Sequence, residues 1–270
     1  ALILKLWVST PIILEFHSDI YWNLYKRNVL FRYYFRFLIK NVSKVRALSD
    51  AQVQAMLLLN IPKEKITVVP NRVDLSLFAP KKINYKITKD ITVVSVGRFV
   101  PQKGYDIAIK AIQQLEAQGM SIKLILIGGG QERKSLESLI SRSKNIELIN
   151  WIDQTSLVSI MRDADIYIQP SKQGLGEAMP RTLLEAMALG LPIIVSPIAG
   201  IPSVVEDLKT GLYVVEGDIN NLMVQIRLLV ENDGLREELG NNAYNKVSSD
   251  YTWDRCFDLY RSVLKEAMLT

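Results

Sequence analysis

Between Asp90 and Leu229, short apolar runs alternate with amphipathic stretches, and this alternation constrains the fold more than any other feature. The runs Ile91–Val96, Lys123–Ile127, Ile146–Leu148, Ile166–Gln169, Pro192–Val195 and Gly211–Val214 have the length and continuous apolarity of buried strands. Helical spacing fills the gaps near Tyr105–Leu115, Glu132–Ile140, Thr155–Met161, Arg181–Leu189 and Ile219–Leu229. A strand that is apolar on both faces needs cover on both faces. The pattern therefore predicts an α/β fold, a parallel sheet between two helical layers in the doubly wound, Rossmann-like arrangement.

The first part of the chain reads as a shorter version of the same pattern. A helix over Leu2–Val8 precedes a strand at Ile12–Phe16, and a long basic helix from Tyr21 to about Asn41 precedes a strand near Val45–Leu48. A helix over Asp50–Leu59 then leads to a strand at Ile66–Val69. Pro70–Lys89, with two prolines and a Lys/Asn-rich stretch, reads as a linker. This divides the chain into a unit over residues 1–80, a unit over 81–250 and a terminal segment over 251–270. In that last segment Thr252 is an N-cap, and Trp253, Cys256, Phe257, Tyr260, Val263 and Leu264 form an apolar face that has to pack on something.

Charge divides along the same line. Residues 1–87 carry 14 Lys/Arg against 5 Asp/Glu, and the remainder 19 against 23. Ten of the 22 aromatic residues fall in the first 40 positions. A basic, aromatic N-terminal part points to contact with an anionic surface. The helix Tyr21–Lys40, with Lys26, Arg27, Arg32, Arg36 and Lys40 interleaved with Trp22, Tyr25, Phe31, Tyr33, Tyr34, Phe35 and Phe37, fits a membrane-surface helix and equally an ordinary helix with snorkelling cations. No nucleic-acid-binding module accompanies the charge. A single cysteine, Cys256, excludes a disulfide framework within the chain and fits a reducing, cytoplasmic setting. The single His17 excludes a histidine-rich metal centre. The opening run Ala1–Trp7 is too short to span a bilayer and lacks the marks of a signal peptide.

Several constellations could carry chemistry. In Gly174-Leu-Gly-Glu-Ala-Met-Pro-Arg-Thr-Leu-Leu-Glu185, Pro180 suits the first position of a helix, and the free N–H groups after it offer an anion site. Glu177 and Glu185 flank that site, an arrangement suited to a ligand with hydroxyls on both sides of a phosphate, or to a simple cap and a surface carboxylate. Gly97-Arg-Phe-Val-Pro-Gln-Lys-Gly104 follows a strand and puts Arg98 and Lys103 at its carboxyl edge, as diphosphate ligands or as solvated loop cations. Gly128–Gly130 follows another strand and fits a tight turn with or without a ligand. Asp163-Ala-Asp165 reads as a helix end and strand start rather than a metal site. His17 lies at the carboxyl end of its strand, where a ligand contact is chemically reasonable.

Taken in order, Val94-Ser-Val-Gly-Arg-Phe99 with Lys103-Gly104, Leu126-Ile-Gly-Gly-Gly130, Ile168-Gln-Pro-Ser171, the Glu177/Glu185 pair, Glu185-Ala-Met-Ala-Leu-Gly-Leu-Pro192, Gly200-Ile-Pro202 and Thr210-Gly-Leu212 resemble one family. It is glycosyltransferase family 4, the retaining, nucleotide-sugar-dependent glycosyltransferases of the GT-B fold. Pro70-Asn-Arg-Val-Asp74 with Phe78 and Pro80 resembles its interdomain segment, and the likeness runs over about residues 10–265. It implies two Rossmann-like domains, the N-terminal one incomplete because the family's first strands and glycine-rich loop have no counterpart here.

The resemblance also implies roles. Glu185 would bind the donor's ribose hydroxyls, and Glu177 would hold the donor sugar with the backbone of Ala178, Met179 and Pro180. Arg98 and Lys103, beside Gly97, would neutralise the diphosphate, and His17 would stand near the transferred sugar. Leu184 would line the donor site, the backbone at Trp151 and Ile152 would meet the base, and the last helix would pack back on the N-terminal domain. The implied partners are a UDP- or GDP-sugar donor, with no metal or other cofactor, and a lipid-linked or polysaccharide acceptor. The chain departs from the family with Glu177-Ala-Met for the usual Glu-Gly-Phe, which predicts an altered sugar pocket, with Asn71-Arg-Val-Asp for the usual Asn-Gly-Val-Asp, and with Ser203 for a frequent Glu. A non-catalytic sugar-nucleotide-binding module is the alternative, and a GT-B epimerase fits the two glutamates less well.

Overall fold

The structure is a computed structural model that describes residues 10–16, 20–80, 91–140, 143–173 and 178–269, without the side chains of residues 20–23. The expected helix at Leu2–Val8 lies outside the described residues.

The first unit is a three-stranded parallel sheet in the order β1 (Ile13–Glu15), β2 (Lys44–Ala47), β3 (Ile66–Val68). Its connections carry α1 (Ile20–Arg27), α2 (Val29–Asn41) and α3 (Asp50–Leu58). The single long helix expected over Tyr21–Asn41 is therefore two. Asn28 takes an extended conformation, and its side-chain oxygen accepts from Phe31 N at 3.0 Å. An asparagine that can cap a new helix competes with continuing the old one. Phe16, Phe35, Ile39, Val45, Ala47, Met56 and Ile61 form this unit's core.

The second unit is a six-stranded parallel sheet of β4 (Ile91–Val96), β5 (Ile122–Ile127), β6 (Ile146–Ile149), β7 (Ile166–Gln169), β8 (Ile193–Val195) and β9 (Leu212–Tyr213). Their order is β6-β5-β4-β7-β8-β9, so the winding reverses between β4 and β7. Helices α4 (Tyr105–Ala117), α5 (Arg133–Ile140), α6 (Gln154–Arg162), α7 (Arg181–Ala188) and α8 (Ile219–Glu231) cover it. The period of two along each strand feeds two separate cores. Val94, Val96, Ile125, Ile127, Tyr167, Ile193 and Val195 pack on one face. Ile91, Val93, Leu124, Leu126, Ile166, Ile168 and Ile194 pack on the other.

Leu48 of the first unit and Val73 and Phe78 of the linker stretch belong to the first of these cores. Helix α9 (Asp233–Asp250) carries little amphipathic signal in the sequence, because only a narrow stripe with Leu239, Ala243 and Val247 is buried on an otherwise polar segment. The final helix, α10 (Trp253–Met268), begins at its Thr252 cap and lies along the first unit. Tyr260 Oη donates to Glu15 at 2.7 Å, Lys44 pairs with Glu266 at 2.7 Å, and the backbone N–H of Val73 donates to Tyr251 O at 2.9 Å. Its buried face differs from the expected one. Cys256, Val263 and Ala267 are covered, whereas Trp253, Phe257 and Leu264 remain about half exposed. Arg72 stacks over the Trp253 ring at 3.8 Å and Arg261 over Phe257 at 4.8 Å, so cations shield these aromatics in place of a core.

Candidate active site at the seam of the two units

Ligands of doubly wound sheets bind outside the strand carboxyl ends, where the winding reverses. Here that point is the end of β4 next to β7. A cleft of about 440 Å³ opens there, and the described residues that line it include Gly97, Arg98, Lys103, Trp151, Ala178–Thr182 and, from the first unit, Leu48 and Asn71.

The turn after β4 brings its cations in by close packing. A Cβ on Gly97 would stand 3.2 Å from Lys103 Cε and 2.9 Å from Tyr105 Oη, so the bare glycine is what lets the lysine stem lie across the strand end. Lys103 sits in a one-turn 3-10 helix that begins at Pro101 and ends at Gly104. Gly104 has φ 67°, and a Cβ there would come within 2.0 Å of Pro170 O, so only glycine closes this turn against the end of β7. Arg98 is exposed at the cleft.

Helix ends identify the second half of the site. Helices α2, α3, α6, α8, α9 and α10 each have a side-chain N-cap, from Asn28, Ser49, Asp153, Asp218, Asn232 and Thr252 respectively. Helices α4 and α7 have none. Both begin beside the cleft, α4 just after Lys103 and α7 just after Pro180. Uncapped N–H groups at the positive end of a helix dipole are suited to an anion. Beneath α7 a buried network fixes its first turn. Tyr167 Oη donates to Gln169 at 3.0 Å and lies 3.1 Å from Thr182 Oγ1, which donates to Val96 O at 3.3 Å.

Glu185 lies one turn into α7. No described residue hydrogen-bonds its carboxyl, and burial raises its pKa to about 7, with Arg181 acting in the opposite direction. A partly buried carboxyl without a protein partner is costly unless something else meets it.

The first unit reaches this site through a few contacts. Asn71 is buried, and its side-chain amide donates to Met179 O at 2.8 Å, tying the linker to the loop that starts α7. Gly200, from the turn after β8, packs so closely that a Cβ would stand 1.9 Å from Ala178 O and 3.2 Å from Ser49 Oγ.

The structure thus brings together Gly97, Arg98, Lys103, Ala178, Met179, Pro180 and Trp151 of the expected site. Trp151 presents its ring to the cleft, over Gly129, rather than only its backbone. Leu184 is wholly buried, and its side chain belongs to the core. Ile152 packs against the same core. His17 and Glu177 lie outside the described residues. Sequence reasoning gave no role to Asn71, Arg181 or Thr182. Asn71 carries no local signal, because its partner is 108 residues away. Asp165 accepts from the backbone N–H of Thr92 at 2.7 Å, and burial raises its pKa, a structural role for that carboxylate. Among the described residues no group of three or more His, Cys, Asp or Glu is placed to hold a metal ion.

The family model described as glycosyl transferases group 1 matches residues 79–246, and that described as glycosyltransferase family 4 matches residues 1–77. An uncharacterized glycosyltransferase of Methanocaldococcus jannaschii, MJ1178, is 30% identical over 98% of this chain and 71% of its own. WcaL of Escherichia coli, named for colanic acid biosynthesis, is 30% identical over 76% of this chain and 52% of its own, so the match spans about half of that relative's length. The crystal structure of Anabaena HepE in complex with UDP-glucose superposes with a TM-score of 0.83 at 20% identity, over all of this chain and 75% of HepE. These matches and the two parallel sheets establish the GT-B fold, and the chain is a member of the glycosyl transferases group 1 family.

Proposed function

We propose that this chain transfers a glycosyl group from a nucleoside-diphosphate sugar to an acceptor hydroxyl with retention at the anomeric carbon. The observation that carries this reading is the convergence of Arg98, Lys103 and the uncapped start of α7 on one cleft, with the partnerless carboxyl of Glu185 one turn further along α7. The cations and the helix N-terminus meet the diphosphate, and Glu185, as carboxylate, takes the ribose hydroxyls. The bond from the anomeric carbon to the β-phosphate oxygen breaks while the acceptor oxygen bonds to the same face. The acceptor proton passes to the departing phosphate oxygen, so no protein nucleophile is needed. In this reading the fixed positive groups, not a metal ion, stabilise the leaving charge. His17 and Glu177 complete the sugar side. UDP-glucose is the first donor to test, because HepE binds it, and GDP-mannose is the second.

Calorimetry with UDP-glucose and GDP-mannose, followed by product analysis with a panel of lipid-linked and polysaccharide acceptors, tests the proposal. Arg98→Ala should lower turnover about 10²–10³-fold, the scale for removing one group that stabilises transition-state charge. Donor binding without transfer or donor hydrolysis would favour a non-catalytic binding module. No binding of either donor would overturn the reading.

The same reading places the acceptor side at an anionic surface. Between Ile20 and Ser49 the chain has seven Lys/Arg and no Asp/Glu. An anionic membrane holding a lipid-linked acceptor fits that charge. Among the described residues no helix is long and apolar enough to cross a membrane.

A further inference from the structure

Helix α2 carries three distinct rows of side chains. Phe31, Phe35, Leu38 and Ile39 face the core of the three-stranded sheet. Away from it, Leu30, Tyr33, Tyr34 and Phe37 recur at i, i+3, i+4 and i+7 and are 81%, 67%, 55% and 58% exposed. Between these rows Arg32, Arg36 and Lys40 recur at i, i+4 and i+8. Single exposed apolar residues are ordinary, but four on one helical stripe mark an interaction surface.

The chemistry beside the stripe selects the partner. Its flanking row is wholly cationic, and no acid lies on α1 or α2. Beside that row is a cleft of about 340 Å³, lined by Arg36, Lys40, Asn60 and the apolar Phe35, Ile39 and Leu59 among others. Lys65 also borders it, but its ammonium donates to the carbonyls of Ile39, Lys40 and Val42 and so caps the end of α2. A phosphate held by Arg36 and Lys40 would have apolar cover beneath it.

We propose that α2 docks in the plane of an anionic bilayer. Leu30, Tyr33, Tyr34 and Phe37 enter the boundary between headgroups and acyl chains, and Arg36 and Lys40 meet headgroup phosphates. This rests on the reading that the first unit meets an anionic membrane, and it narrows that contact to one helix, one face and one cation row. Helix α1 does not extend the face in register, because the chain breaks at Asn28.

Cosedimentation of the 270-residue chain with vesicles of phosphatidylcholine, with and without phosphatidylserine, tests the assignment. Binding is expected only with phosphatidylserine and should weaken with salt. Arg36→Ser and Lys40→Ser should each lower the partition coefficient about fivefold. Tyr34→Ser combined with Phe37→Ser should lower it about tenfold or more, with an unchanged thermal melt because both side chains face outward. Val224→Ser, at an exposed site in the second unit, should leave it unchanged. If the wild type does not bind, the wider membrane reading and this assignment fall together. Phosphatidylserine-dependent binding that survives the double substitution overturns only the assignment to α2. Equal binding to both vesicles overturns the headgroup contact, and concentration-dependent dimers without lipid binding would make the stripe a protein interface.

Discussion

In the six-stranded unit every central strand is buried on both faces, and its side chains alternate between two cores. In the three-stranded unit only β2 is largely buried, β1 and β3 are half-buried along their length, and the large aromatics of α2 divide between a small core and solvent. The contrast shows where each unit keeps its chemistry. The larger one has burial enough to hold a desolvated carboxyl, a buried Tyr–Gln–Thr network and two uncapped helix starts. The smaller one contributes a few anchors to the seam and keeps its distinctive chemistry, cations and aromatics, on the outside.

Four measurements would break or sharpen that contrast. The largest effect is expected from Phe35→Ala, which empties the centre of the small core. It should cost about 3–5 kcal/mol in the first unit and abolish transfer, yet leave donor binding by the second unit within about tenfold. Calorimetry beside a melting curve checks this, and parallel loss of donor binding would show that the two units are not separable. Asn71→Ala comes next. It strands the buried carbonyl of Met179, a loss of about 1–3 kcal/mol, and should depress kcat more than it weakens donor affinity. Steady-state kinetics against calorimetric Kd decides, and equal losses would make Asn71 an ordinary donor contact.

The third turns on Glu185, whose pKa lies at about 7. A carboxyl raised in the folded state penalises the native chain as pH climbs from the ordinary carboxylate range toward 7, because the unfolded chain ionises first. Melting temperatures of the free protein should therefore fall over that window, and Glu185→Gln should abolish the fall. If the carboxylate is what the donor needs, affinity should rise about tenfold between pH 6 and pH 8, and the Gln variant should show a weak, flat profile. The smallest effect belongs to Trp253→Ala, which removes the half-exposed ring beneath Arg72 for about 0.5–1 kcal/mol. A larger loss in a denaturant titration would mean that α10 holds the first unit through this stack more than through Tyr260 and Lys44.

Legibility in the sequence followed the same divide. Strands β4 to β9 were readable to within a residue or two because double-sided burial forces continuous apolar runs. The turn at Gly97–Gly104 and the start of α7 were readable because glycine and proline mark them. The break at Asn28 was hidden inside an unbroken run of helix-compatible residues, and only the cap geometry shows it. In α10 the apolar residues outnumber the positions that are covered, and burial falls on Cys256, Val263 and Ala267 rather than on the larger aromatics. Asn71 was opaque for another reason, since a polar residue in a linker acquires meaning only from the carbonyl that tertiary structure brings to it.

Phe78, seated with Leu48 and Val73 in a core of the larger unit, limits how this molecule can be recombined. A hybrid made by exchanging the first 80 residues for those of a relative would remove three core side chains from the half meant to stay unchanged. The replacement would have to supply the same volumes at the same depth, or the larger unit would open a void in the core that also holds Leu183 and Met187. Exchangeable acceptor halves in such a family would then require matched residues at this buried joint, whatever their surfaces bind.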